Sequence, residues 1–66
     1  MTTSVKNKVC DYRLRANTTQ EKLAEAVNVT RQTIIAIEKG NYTPSVLLAI
    51  KLARYFKTTV EDLFYI

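Results

Sequence analysis

The chain has no histidine and a single cysteine, Cys10. An internal disulfide is therefore excluded. A structural zinc site lacks its ligands as well, because such sites draw their donors from Cys and His. The lone cysteine suits a reducing compartment, and Cys10 reads as a small apolar residue of the first helix rather than a redox centre. Gly40 is the one glycine, so no glycine-rich loop is present to cradle a phosphate. No apolar run is long enough to span a bilayer. The opening MTTSVKNKVCDYRLR has no apolar block like that of a signal peptide. A cytoplasmic chain is expected. Catalysis is poorly supported: the paired acids are Glu61-Asp62, and these fall in the first turn of an expected helix, where acids favour the dipole. No enzyme activity, metal or cofactor is expected.

What is present is a basic chain, 47% of it hydrophobic. Sixty-six residues make one domain. A core of that size is modest and calls for efficient helix packing or a partner subunit. The net charge of +4 suits a polyanionic partner such as nucleic acid. Met1 to Ser4 are expected to form a flexible N-terminus, with residues 5–66 as the folded unit.

The pattern within that unit is helical throughout. A first helix is expected from Val5 to Ala16, with Val9 and Leu14 inward and Cys10 and Tyr12 partly covered. The stretch TTQEKLAEAVNVTRQTIIAIE, Thr18 to Glu38, organises the rest. Leu23, Ala24 and Val27 keep helical spacing, as do Ile34 and Ile37, and the register breaks at Asn28. That break predicts a helix, a tight turn and a second helix, over about residues 19–38. Thr18-x-x-Glu21 has the form of a capping box, which starts the first of these near Thr19. Asn28 suits the left-handed position at its end, and Thr30 suits the cap of the next.

Gly40 should terminate that helix, and Asn41 to Pro44 should form a loop. A fourth helix is expected from Ser45, as cap or first-turn residue, to Lys57. It carries more apolar residues than one buried stripe requires. Val46, Ala49, Ala53 and Phe56 make one face, and Leu48, Leu52 and Tyr55 make a second. Leu47 and Ile50 lie beyond it. Either this helix is central to the core, or its second face meets another subunit, or both. Thr58-x-x-Glu61 resembles another capping box and opens a last helix from Val60 to about Tyr65. Strand-like alternation is confined, if anywhere, to the last few residues. The fold class expected is all-α, with five short helices.

These motifs, in this order, resemble the phage Cro/repressor type of DNA-binding domain, the XRE family. The match is carried by Thr19-Gln20-Glu21-x-Leu23-Ala24, Val29-Thr30-Arg31-Gln32-Thr33-Ile34 and Ile37-Glu38-x-Gly40. Pro44-Ser45, Ile50-x-Leu52-Ala53 and Glu61-Asp62-Leu63-Phe64 extend it, so it covers about Lys8 to Phe64. The resemblance implies a compact, lambda-repressor-like five-helix domain that binds double-stranded DNA as a regulator of transcription, associated with the nucleoid.

By the same resemblance, Arg31, Gln32 and Thr33 face bases, with Gln32 placed to pair with adenine and Arg31 with guanine or a phosphate. Gln20, Thr30, Lys39, Asn41 and Tyr42 fall where the family contacts phosphates or opens its recognition helix. Arg13 and Glu38 match a structural ion pair. Ile35 and Ala36 depart from the polar residues common there. They either touch thymine methyl groups, or Ile35 packs against the motif's first helix and reads nothing. The surplus apolar surface of Leu48, Leu52, Tyr55, Phe64, Tyr65 and Ile66 predicts a symmetric homodimer, and with it an inverted-repeat operator. The alternative is an antitoxin or co-regulator that uses the same fold to hold a protein partner.

Overall fold

The computed structural model describes residues 4–66. Of the expected flexible N-terminus, Met1 to Thr3 lie outside the described residues. Five helices run in order: α1 (Val9–Arg15), α2 (Gln20–Ala26), α3 (Arg31–Glu38), α4 (Val46–Tyr55) and α5 (Val60–Leu63). Two short strands, β1 (Lys6–Asn7) and β2 (Phe64–Tyr65), pair antiparallel, with Lys6 opposite Tyr65 and Asn7 opposite Phe64. The helical class stands, with this ribbon added where the two ends of the chain meet.

Both ends of each of the four connections between helices follow from local chemistry. Thr19, Thr30, Ser45 and Thr59 each accept a hydrogen bond from the backbone N–H three residues on, satisfying a donor the helix itself leaves unpaired. The first four helices each end on a left-handed residue: Asn17, Asn28, Gly40 and Lys57. In each case the next residue's N–H reaches back to the helix. Thr18 donates to Arg13, Val29 to Ala24, Asn41 to Ala36 and Thr58 to Ala53. These are four Schellman closures.

The closures explain two corrections. Thr18 is spent closing α1, so the cap of α2 is Thr19, which accepts from Lys22. Thr58 is spent closing α4, so the cap of α5 is Thr59, which accepts from Asp62. The expected pairs of Thr18 with Glu21 and Thr58 with Glu61 are each displaced by one residue. In both places two threonines stand together, the first ending one helix and the second starting the next.

Three further expectations are corrected. The first helix begins at Val9 rather than Val5, because Lys6 and Asn7 pair with β2 and Asn7 Oδ1 accepts the Val9 N–H. The last helix ends at Leu63 rather than near Tyr65, because Phe64 turns extended and enters the ribbon. Leu14 is 63% exposed rather than inward. It lies five residues beyond the buried Val9, about 140° around a helix from it.

The core gathers Val9 from α1, Leu23, Ala24 and Val27 from α2 and its cap, Ile34 and Ile37 from α3, Leu48, Leu52 and Ala53 from α4, and Leu63 from α5. Tyr12, Val29, Phe56, Val60 and Phe64 pack around it. Leu48 and Leu52 therefore serve the fold and are withdrawn from the expected subunit interface. Each fully buried aliphatic side chain contributes about 1.5–3 kcal/mol, so a core of this size has no residue to spare. Val46, grouped by spacing with Ala49 and Ala53, is instead exposed at the start of α4.

Candidate nucleic-acid interface

α2 and α3 form a helix-turn-helix, joined through Asn28 at φ 63°. α3 lies with Ile34 and Ile37 fully buried beneath it. In its N-terminal turn, Arg31 and Gln32 are exposed to solvent. Thr30 holds that turn: its Oγ1 accepts the Thr33 N–H at 3.3 Å and lies 3.1 Å from the Thr33 hydroxyl. Thr33, Ile35 and Ala36 are half-buried, and Lys39, Asn41 and Tyr42 are exposed beyond the helix. Arg31 and Gln32 thus stand together on one turn, with Lys39, Asn41 and Tyr42 at the opposite end of the same helix.

One polar network ties three helices together. Arg13 on α1 donates from Nε to Glu38 Oε2 at 2.7 Å and from Nη2 to Glu38 Oε1 at 3.2 Å. Its Nη1 donates to the Thr18 carbonyl at 3.1 Å. Gln20, the first residue of α2, donates from Nε2 to the same Glu38 Oε1 at 3.0 Å. The Arg13 and Glu38 side chains are only 13% and 7% exposed. The fork-on-fork geometry is what a guanidinium and a carboxylate need to repay their desolvation. The hydrogen bond to Glu38 raises Arg13 above its ordinary pKa; burial opposes this and the Glu38 charge reinforces it.

Asn7 is a functional-site residue that no motif or spacing singles out. Its Nδ2 donates to the Ile37 carbonyl at 2.9 Å, fastening the end of α3 to β1, while its Oδ1 accepts from Val9. Standing between two lysines, it has the look of a solvated polar residue, and only the ribbon brings it to α3. The bond from Gln20 to Glu38, eighteen residues apart, is equally tertiary. An open depression beside the start of α2 is lined by Gln20, Lys22 and Arg31 together with Glu21 and Glu25. Among the described residues no group of three or more His, Cys, Asp and Glu side chains is placed to hold a metal ion, and no helix is long and apolar enough to cross a membrane.

Comparison with known proteins agrees with this architecture. A family model described as helix-turn-helix matches residues 11–63. A Bacillus subtilis (strain 168) protein, named an uncharacterized HTH-type transcriptional regulator, is 53% identical over 62 residues, covering 94% of both chains. A Vibrio cholerae protein, named the cryptic phage CTXphi transcriptional repressor RstR, is 30% identical over 57 residues, covering 86% of this chain and 51% of its own. A crystal structure of a Bacteroides fragilis protein superposes with a TM-score of 0.83 at 20% identity, over 92% of this chain and 98% of that one, and so shares the fold. With the motif formed in space and the family model spanning most of the chain, the protein belongs to the helix-turn-helix family of transcriptional regulators.

Proposed function

We propose that the protein binds double-stranded DNA sequence-specifically, as a homodimer on an inverted-repeat operator, and represses transcription. The observation that carries the reading is the setting of α3. Its inner face is wholly buried while Arg31 and Gln32 project from a capped first turn. A helix held this way enters the major groove with its N-terminal side chains toward the bases. Gln32 then pairs bidentately with adenine, and Arg31 reaches guanine or a phosphate. Thr33 lies beside them, and the uncovered parts of Ile35 and Ala36 meet thymine methyl groups. Gln20, Thr30, Lys39, Asn41 and Tyr42 take phosphates. The net charge of +4 supports the same partner. Repression is the direction favoured by the name of the Vibrio cholerae relative.

Selection of duplexes from a random library, followed by titration of the best site, tests the proposal. Gln32→Ala is expected to weaken the best site by roughly 1–3 kcal/mol and random DNA far less. Lys39→Ala is expected to weaken both by similar factors and to flatten the salt dependence by about one unit of slope. An unchanged preference among sites in Gln32→Ala refutes base reading by that residue.

A further inference from the structure

Glu38 has two partners on one oxygen, and the second is Gln20. An ionised carboxylate only accepts hydrogen bonds, whereas a carboxamide has a donating end and an accepting end. With the amide reversed, two acceptors would face each other at 3.0 Å. The nitrogen of Gln20 is therefore the inward atom. That nitrogen carries two hydrogens; one is engaged by Glu38, and the other is left for a ligand. Gln20 is half-buried and lines the open depression together with Lys22 and Arg31.

We infer that Glu38 is a positioning residue for DNA binding: it holds the Gln20 carboxamide in one orientation, with an N–H ready for a phosphate oxygen, before DNA arrives. Arg13 completes the device, since its two bonds fix the carboxylate that fixes Gln20. The clamp joins the first residue of α2 to the last residue of α3. A phosphate contact at Gln20 is thereby registered to the helix that reads bases. The inference rests on the DNA reading above and assigns a role to Glu38, which itself touches no DNA.

The sign of one substitution separates positioning from simple electrostatics. Glu38→Gln removes a negative charge near a polyanion, so electrostatics alone predicts equal or tighter binding. The substituted carboxamide keeps one acceptor where the carboxylate offers two, and so cannot hold both the Arg13 fork and Gln20; loss of positioning predicts weaker binding, by roughly 2- to 10-fold for one side chain released from a preset rotamer. The test is a double-mutant cycle of Glu38→Gln and Gln20→Ala on the affinity for a duplex selected by the unaltered chain. Thermal melts ensure that every variant is folded at the assay temperature. The expected result is a loss in Glu38→Gln that disappears in the Gln20→Ala background. Equal or tighter binding by Glu38→Gln, or the same loss in both backgrounds, overturns the role.

A second measurement needs no variant. In the free protein, the side-chain amide of Gln20 is expected to have a higher NMR order parameter than that of the exposed Gln32. Equal values overturn the clamp even if Glu38→Gln fails to fold. A chain that selects no duplex overturns the DNA reading and this role with it. A chain that selects a duplex but shows no coupling between Glu38 and Gln20 overturns the positioning role alone.

Discussion

At the scale of single residues, the side chains that carry most consequence are Arg13 and Glu38. Both are almost covered, and each is the other's main compensation. Removing one leaves a charge with nothing to balance it in a poorly hydrated site. Glu38→Ala or Arg13→Ala is expected to destabilise the fold by about 3–5 kcal/mol, whereas a surface pair would be worth about 0–1 kcal/mol. A double-mutant cycle followed by urea unfolding measures the coupling, and a coupling of zero refutes the account. Because Arg13 is raised above its ordinary pKa, its contribution is complete below that value and is lost only as pH rises through the higher folded value. Titration of Arg13 therefore gives stability no slope between about pH 6 and 9.

At the scale of elements, the helix ends determine where everything else points. Each of the first four helices closes on a left-handed residue, and they differ in how well the residue suits the position. Gly40 adopts φ +80° without strain, and a Cβ there would meet nothing within 4 Å. Gly40→Ala is thus expected to cost stability through backbone strain alone, about 1–2 kcal/mol for the left-handed region, partly offset by the lower chain entropy of alanine. Lys57 occupies the same region at φ 57° with a full side chain. Lys57→Gly relieves that strain and is expected to stabilise by roughly 0.5–1 kcal/mol after the entropy of glycine is counted. Urea midpoints of the two variants, shifting in opposite directions, check the pair. A fall in stability for Lys57→Gly would mean that its side chain has an energetic role no contact in the structure accounts for.

At the scale of the whole molecule, the apolar surplus divides differently from the sequence pattern. Leu48 and Leu52 are core, and Phe64 is half-buried against it. Val46, Leu47, Ile50, Tyr55, Tyr65 and Ile66 remain exposed. These are the residues left to support the proposed homodimer, whose two recognition helices would enter successive major grooves about 34 Å apart. Sedimentation equilibrium at micromolar concentration is expected to find a dimer, and Tyr65→Ser with Ile66→Ser is expected to weaken both dimer and operator binding. A monomer, with operator affinity unaffected by these changes, refutes the assembly.

Local chemistry made much of this molecule legible from the sequence. Asn28, Thr30, Gly40 and Ser45 act at their own helix ends, so turn and cap preferences within a few residues were enough to place them. The inward faces of α2 and α3 follow from the spacing of Leu23, Ala24, Val27, Ile34 and Ile37, because a helix of fixed period turns spacing into direction. What only the tertiary structure decided depends on segments far apart in the chain. The ribbon needs both chain ends, so neither Lys6–Asn7 nor Phe64–Tyr65 shows a strand by itself, and two residues are too few to show alternation. Which of two adjacent threonines caps a helix depends on how the preceding helix closes. Whether Leu48 and Leu52 face a core or a partner depends on what α4 packs against. The Asn7–Ile37 and Gln20–Glu38 bonds span thirty and eighteen residues, and no spacing rule reaches that far, because such contacts exist only once the helices have packed.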